Sequence, residues 1–166
     1  MEGQSEKEMK YKPSKELIEA LIRFEGMKNE PYTCPAGYWT IGIGSRYDLA
    51  GNQVTKNTKP INKHEAIKLL NNTILEIHRV LLLNGGSVFT AYQIEAFIEL
   101  AFNIGYPTLI KTRLYNNAKK GVNVSIEDFT QFCHYRSNGL LVESKQLKQR
   151  RIFDWNMFIG AVNRTF

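Results

Sequence analysis

The stretch that decides the fold covers residues 14–44 and reads SKELIEALIRFEGMKNEPYTCPAGYWTIGIG. In its first half, large apolar residues repeat at helical spacing after Ser14, a residue type that caps helix N-termini, and Gly26 ends the run. The second half changes to aromatic and β-branched residues interrupted by a turn sequence, which predicts a short hairpin between Pro31 and Gly44. The segment therefore predicts one helix followed directly by a small sheet.

Glu25 stands at an unusual place in this helix. It follows Leu21 by four residues and Ile18 by seven, so it lies on the apolar stripe in the last turn. An apolar setting and the negative end of the helix dipole both disfavour a charged carboxylate, and a protonated acid is what cleavage of a glycosidic bond requires. Taken alone, the helix pattern favours the simpler alternative of a glutamate that turns to water.

The strand at residues 38–44 shows apolar alternation around Thr40. Successive side chains of a strand point to opposite faces, so we expect Trp39, Ile41 and Ile43 on the apolar face and Thr40 on the other. Without further context Thr40 is an ordinary strand threonine.

Helical patterns dominate the rest of the chain. Asn62 and Glu65 resemble a capping box ahead of a long helix over residues 63–83, and Thr90 and Gln93 resemble another. Further helices are expected at 108–119, 126–135 and 143–159. These patterns predict an α+β fold with a flexible arm at 1–13, a small lobe with a short sheet over about 14–62, and a larger all-helical lobe over 63–166 joined through the long helix.

Composition limits the class of protein. The chain has 166 residues, of which 43% are hydrophobic, enough for one folded domain. Cys34 and Cys133 lie far apart in a pattern that indicates free thiols, and the three histidines, His64, His78 and His134, show no metal-ligand spacing. We therefore predict neither a metal nor a cofactor. No apolar run is long enough for a membrane span, which predicts a protein made in the cytoplasm without stable membrane insertion.

The net charge of +6 favours a polyanionic partner, such as nucleic acid, an acidic membrane or an acidic cell wall. Composition by itself equally allows a basic surface exposed to water. No nucleic-acid recognition motif is present and the basic residues are dispersed, so we do not predict binding to nucleic acid.

The residues around Glu25 resemble the active-site signature of the phage lysozymes. That signature is a glutamate, eight residues, an aspartate or sometimes a cysteine, five residues, and a threonine, and Glu25, Cys34 and Thr40 match both spacings. The flanking glycines and aromatics match as well. The resemblance implies a lysozyme-like fold in which residues 14–166 form a single catalytic domain, with Glu25, Cys34 and Thr40 as catalytic residues.

The resemblance covers roughly residues 14–160. Residues 101–105 look like the helix end beside the family's substrate cleft, which implies that Phe102 and Asn103, together with Phe132, bind substrate. Residues 149–154 look like the late arginine motif, which implies that Arg150, or failing that Arg151, lies near Glu25. Spacing alone equally allows these arginines to lie on a solvated helix face and pair with Asp154.

The chain departs from the family's common pattern at three positions, where Cys34 replaces aspartate, Ser45 replaces histidine and Phe132 replaces tryptophan. An aspartate would stabilise positive charge on the sugar or activate water, whereas a free thiol is mostly neutral at pH 7. A thiolate in an electropositive site would fill the same role. The alternative is a structural cysteine beside Pro35.

The resemblance implies a muramidase that hydrolyses the β-1,4 bond between N-acetylmuramic acid and N-acetylglucosamine in peptidoglycan, with net inversion. A lytic transglycosylase acting on the same bond is the nearest alternative, because it can work with a single acid, and a non-catalytic peptidoglycan-binding protein is another. We expect a monomer that is made in the cytoplasm of the producing bacterial cell. It acts on the cell wall after release, and a holin is a possible requirement for that release.

Overall fold

The computed structural model describes residues 11–34, 36–163 and 165, which form two compact units. One unit holds residues 11–76 with Thr165, and the other holds residues 77–163. Most of the predicted arm, residues 1–10, lies outside the described residues, whereas Pro13 is buried. The elements of the described part are, in chain order, α1 Lys15–Glu25, β1 Lys28–Thr33, β2 Trp39–Gly42, α2 Lys63–Leu83, α3 Ala91–Ile104, α4 Tyr106–Leu109, α5 Arg113–Lys119, α6 Ile126–Thr130, β3 His134–Ser137, β4 Leu140–Glu143 and α7 Lys145–Phe158.

The first helix has the predicted bounds. The Ser14 hydroxyl accepts a hydrogen bond from the Leu17 N–H at 3.3 Å, and at the other end the Gly26 N–H donates to the Ile22 carbonyl. Side-chain and glycine caps satisfy groups that a helix end otherwise leaves without partners. Since Leu17 and Leu21 are fully buried, the apolar stripe anchors α1 to the core of the first unit.

Strands β1 and β2 form the predicted antiparallel hairpin. Tyr32 lies opposite Thr40 and Lys28 opposite Gly42, with an irregular register between these two pairs. The exposure of these side chains does not follow the apolar pattern, because Trp39 is 39% exposed whereas Thr40 is only 3% exposed. Ile41 packs with Val54, Leu69 and Ile61 on one face of β2, and Thr40 is covered on the other face. Both faces of β2 are therefore buried from Thr40 to Gly42.

Gly42 stands where the hairpin approaches α2. Its φ of +65° lies in a region that L-residues other than glycine seldom adopt. A Cβ here would lie 3.2 Å from Ile61 Cδ1 and 3.4 Å from Ala66 Cβ, so space is short as well. Glycine therefore allows β2 to pack closely against the start of α2.

The long helix α2 has the bounds that the sequence predicts. Its capping box is present, since the Glu65 N–H donates to Asn62 Oδ1 at 3.0 Å and the Asn62 N–H donates to Glu65 Oε2 at 2.8 Å. The boundary between the two units falls within this helix, after Glu76. None of the helices in the described residues is both long and apolar enough to cross a membrane.

An aromatic cluster forms the core of the second unit. Phe97 on α3 lies 4.9–6.1 Å, centroid to centroid, from four other rings, those of Phe89, Tyr115, Phe129 and Phe158. The Tyr115 hydroxyl donates to the Leu81 carbonyl at 3.1 Å, and burial raises the pKa of Tyr115 to about 12. The cluster thus ties α3 and α5 to the end of α2.

Three predictions for the second unit are corrected, because the expected all-helical lobe contains a hairpin and two of the expected helices have other bounds. The helix expected at 108–119 is divided into α4 and α5, because the Thr112 hydroxyl caps a new helix by accepting from the Tyr115 N–H at 3.1 Å. The helix expected at 126–135 ends at Thr130, and β3 and β4 follow as a hairpin. Asn138 and Gly139, with φ of 49° and 81°, form the tight turn that an Asn-Gly pair favours. The α+β class itself is confirmed.

Candidate active site

The three residues predicted to be catalytic all lie in the first unit, on consecutive elements. Glu25 is the last residue of α1 and is half-buried, and its Oε1 atom exposes less than 1 Å². Gly26 and Met27 alone separate it from β1. The end of α1 therefore presents a carboxyl group with one shielded oxygen directly before the hairpin that carries Cys34 and Thr40.

Cys34 lies at the turn of this hairpin. Its N–H donates to the Tyr38 carbonyl at 2.9 Å, and its own carbonyl accepts from the Gly37 N–H at 2.8 Å. The thiol is free and half-buried. Two backbone hydrogen bonds thus fix the position of a thiol at the place where the family's common pattern has a carboxylate.

Thr40 lies on β2, directly across from Tyr32. Its hydroxyl donates to the Tyr32 carbonyl with an oxygen-to-oxygen distance of 3.2 Å. Since the hydroxyl proton is used in this bond, the Thr40 oxygen is left to act as an acceptor. A hydroxyl held in this way can accept a hydrogen bond from a water molecule and so orient it.

Two cations lie against aromatic rings of the same hairpin. The Arg46 guanidinium is 3.5 Å from the centre of the Tyr38 ring, and Lys28 Nζ is 4.3 Å from the centre of the Tyr32 ring. These two tyrosines stand beside Cys34 and opposite Thr40, respectively. The hairpin therefore carries positive charge suited to an anionic substrate.

The late arginines lie in the second unit, on α7, and are buried rather than on a solvated face. Arg150 Nε donates to Glu99 Oε1 in a charged hydrogen bond, and Arg151 Nη2 donates to Glu99 Oε2 at 3.1 Å. Arg151 Nη1 also donates to Asn103 Oδ1 at 2.9 Å. One carboxylate on α3 thus holds two guanidinium groups on α7, which explains how this helix can bury its charges.

Asp154 completes this buried group. Its Oδ2 lies 2.7 Å from Arg151 Nε, close enough for an ion pair but without the alignment of a hydrogen bond. Burial, and next to it the Glu99 carboxylate, raise the pKa of Asp154 well above its usual range. The folded protein therefore holds the Asp154 proton to a higher pH than an exposed carboxyl group would.

The three residues predicted to bind substrate also lie in the second unit. Phe102 and Asn103 belong to the last turn of α3, the first half-buried and the second exposed. Because Asn103 Oδ1 accepts from Arg151, its amide nitrogen is turned away from that bond and is available to a ligand. Phe132 is half-buried in the short 3₁₀ turn Gln131–Cys133.

Sequence reasoning missed one cluster of potential metal ligands. Cys133, His134 and Glu143 bring ligand atoms within 4.8 Å of one another. The prediction of no metal site overlooked two signals, the adjacency of Cys133 to His134 and the Asn-Gly turn that pairs His134 with Glu143.

The helix, the small hairpin and the helical second unit are those of a lysozyme-like fold, and comparison with known proteins agrees. Residues 22–152 match the phage lysozyme family. The chain is 26% identical over 140 residues to an endolysin of Acyrthosiphon pisum secondary endosymbiont phage 1, covering 84% of this chain and 92% of that protein. It is also 28% identical over 150 residues to a SAR-endolysin of Haemophilus phage HP1. That match covers 90% of this chain and 72% of that protein.

A solved structure of an endolysin from Escherichia coli O157:H7 phage FAHEc1 has the same fold. Its TM-score is 0.78 at 22% identity, over 94% of this chain and 98% of that chain. This chain belongs to the phage lysozyme family, and its general class of activity is the lysis of bacterial peptidoglycan. The predicted family and lysozyme-like fold are thereby confirmed.

Proposed function

We propose that this protein is a muramidase that hydrolyses the β-1,4 bond between N-acetylmuramic acid and N-acetylglucosamine. The observation that carries the proposal is the placement of Glu25 at the end of α1, immediately before a hairpin in which the Thr40 hydroxyl is committed to the Tyr32 carbonyl. A shielded carboxyl group and an acceptor for water are the two parts that hydrolysis of a glycoside needs.

In the proposed reaction, Glu25 gives its proton to the glycosidic oxygen as the bond from that oxygen to the anomeric carbon breaks. A water molecule, oriented by Thr40, forms the new bond to the anomeric carbon from the opposite face, with inversion. The proton that this water loses passes to a base, and we assign that role to the Cys34 sulfur as its thiolate. Proton exchange with solvent then restores Glu25 and Cys34.

The remaining predicted site residues receive supporting roles. Phe102 and Phe132 offer ring faces of the kind that pack on sugars, and the Asn103 amide offers a donor to an N-acetyl carbonyl. We assign Arg150, or failing that Arg151, as a positioning residue for Glu25, and this assignment rests on the resemblance of residues 149–154 to the family's late arginine motif. Lys28 and Arg46 suit the free carboxylates of the peptide stems that muramic acid carries.

A lytic transglycosylase is the second candidate, because a free, half-buried thiol stands at position 34 in place of a carboxylate. That reaction breaks the same bond and uses a hydroxyl group of the sugar itself as the nucleophile, so it needs no base to activate water. A purely peptidoglycan-binding role is less favoured, since binding alone does not require a glutamate and a threonine at the family's spacing.

We also propose that the protein acts as a monomer, is made in the cytoplasm of the producing bacterium and reaches the wall after release, with a holin as the candidate route. Lysis of cells expressing the chain with and without a co-expressed holin tests the route. Lysis without the holin at an unchanged rate would remove that dependence.

Digestion of purified peptidoglycan, followed by mass spectrometry of the fragments, tests the reaction itself. A muramidase adds one water per bond and leaves reducing N-acetylmuramic acid, whereas a transglycosylase leaves an anhydro sugar with no water added. Fragments that are mostly anhydro would overturn the muramidase proposal in favour of the second candidate. Intact glycan strands, with the protein bound to them, would overturn both catalytic proposals.

A further inference from the structure

We propose that Cys133, His134 and Glu143 form a binding site for a divalent metal ion of the zinc class, at the open end of the β3–β4 hairpin. The ligand atoms of the three side chains all lie within 4.8 Å of one another. None of them takes part in the proposed reaction, and all lie in the second unit. The site is therefore a second function of this chain, separate from cleavage of glycan.

Backbone structure brings the three residues together. His134 begins β3 and Glu143 ends β4, and the two are directly paired in the antiparallel register. The Ser144 N–H donates to the Cys133 carbonyl at 2.8 Å, which continues the pairing one position further. Because the Asn138–Gly139 turn determines this register, the cluster does not depend on flexible side chains alone.

The donor set is selective. A cysteine sulfur, an imidazole nitrogen and a carboxylate oxygen are the three ligand types that Zn²⁺ accepts, whereas Ca²⁺ and Mg²⁺ prefer oxygen ligands throughout. The buried Cys133 supplies the sulfur, and the exposed His134 and Glu143 can turn toward it. Binding replaces the thiol proton, which is released to solvent, so the ion meets a thiolate.

The distances fit an ion after small movements of the side chains. Bond lengths of about 2.0–2.3 Å to a tetrahedral Zn²⁺ place neighbouring ligand atoms about 3.3–3.8 Å apart. Cys133 Sγ already lies 3.7 Å from His134 Nδ1. The widest pair in the cluster, at no more than 4.8 Å, needs to close by about 1 Å, which rotation of an exposed side chain can provide. Three protein ligands leave a fourth position for water.

Lys148 provides an internal competitor. Its Nζ lies 3.1 Å from Glu143 Oε1 and 3.4 Å from Oε2, so it occupies the carboxylate that the ion would use. Both side chains are about half exposed, and the ammonium group can move into water at small cost. Removal of this lysine should therefore tighten metal binding. If Glu143 were not a ligand, removal of Lys148 would leave the affinity unchanged.

The test is a titration of the full-length, chelator-treated protein with Zn²⁺ and with Co²⁺. We expect one equivalent to bind, a thiolate-to-cobalt charge-transfer band to develop, and the midpoint of thermal unfolding to rise with Zn²⁺. Loss of a ligand in C133S, H134N or E143Q should weaken Zn²⁺ binding about tenfold or more, and K148M should strengthen it. The matched controls C34S and H64N change the other thiol and an exposed histidine elsewhere and should bind as wild type does.

Several results would overturn the proposal. They are the absence of binding in the wild-type protein, a cobalt complex without the thiolate band, or affinity unchanged in H134N and E143Q. Cys133 is buried, so C133S can fail to fold, but His134, Glu143 and Lys148 are exposed and their variants keep the test decisive. Reduced affinity in C34S, equal to that in C133S, would place the ion elsewhere and also count against the site.

Discussion

Arg151 on α7 donates from Nη2 to Glu99 Oε2 on α3 at 3.1 Å, and neither side chain exposes any surface. The two residues are 52 positions apart in the chain. Two long helices of the second unit are therefore joined through a buried ion pair, to which Arg150 and Asp154 also belong. Since an ion loses its hydration when it is buried, each partner depends strongly on the other.

Replacing Arg151 with methionine should lower the free energy of unfolding by about 3–5 kcal/mol, because it breaks a buried ion pair and leaves Glu99 with less compensation. Urea-induced unfolding measures the change. The control is E19Q, which breaks the exposed Lys15–Glu19 pair and should cost less than about 1 kcal/mol. Equal decreases in the free energy of unfolding of the two variants would show that the buried ion pair stabilises the protein no more than the exposed pair does.

Asp154 should make stability depend on pH in a particular direction. Its pKa is raised by burial and by Glu99, so the folded protein keeps this proton to a higher pH than the unfolded chain does. The stabilisation is complete below the ordinary carboxyl pKa of about 3.9 and is lost as the pH rises through the folded-state pKa. D154N, an uncharged substitute, should therefore gain stability relative to wild type as the pH rises.

Urea unfolding of wild type and D154N at a series of pH values tests this behaviour. We expect D154N to be more stable relative to wild type at neutral pH than at acid pH, because over this range the unfolded wild-type chain releases the Asp154 proton before the folded protein does. A loss of about 3 kcal/mol or more at neutral pH would show instead that Asp154 is ionised and forms an essential pair with Arg151.

Glu25→Gln should abolish clearing of a peptidoglycan suspension, because the amide cannot supply the proton that the leaving sugar needs. A general acid contributes about 10²–10⁴-fold to a rate. Turbidity measures the activity, and circular dichroism checks that the variant is folded. Glu19, on the same helix but exposed, provides the control, and E19Q should keep wild-type activity. A folded E25Q protein with near-normal activity would rule out Glu25 as the acid.

Cys34→Ala should lose at least about tenfold in rate, equal to about 1.4 kcal/mol of transition-state stabilisation, whereas Cys34→Asp should keep much of the activity. Iodoacetamide should inactivate wild type and C133A alike, because Cys34 is only half-buried while Cys133 is buried. If C34A lyses walls as fast as wild type, Cys34 is structural, and the transglycosylase reaction gains support.

Gly42→Ala should destabilise the protein more than Gly51→Ala. Both glycines have a positive φ, of +65° and +83°, and alanine costs about 1–2 kcal/mol in that conformation. A Cβ at position 42 also meets Ile61 and Ala66, whereas at position 51 nothing lies within 4 Å. The difference between the two variants in thermal or urea unfolding measures the close packing of β2 on α2, and equal effects would contradict it.

Elements with a strong local pattern were predicted correctly. The bounds of α1 and α2 and the capping boxes at Asn62 and Thr90 agree with the structure, since caps and apolar stripes involve residues three or four positions apart. The structure differs from the predictions where packing or a neighbouring turn, rather than the pattern within the segment, decides the outcome. Thr40 is buried and Trp39 exposed because of what packs on β2. The helix expected at 126–135 ends early because a two-residue turn pairs residues 134–137 with residues 140–143.

The sequence by itself determined the family, the first helix and hairpin, and the candidates Glu25, Cys34 and Thr40, because all of these depend on spacings within one short segment. Only the tertiary structure decided that Arg150 and Arg151 are buried on Glu99, that Asp154 has a raised pKa, and that Cys133 and His134 meet Glu143. The physical reason is that desolvation and ion pairing depend on which distant segments come together, and no local spacing records that.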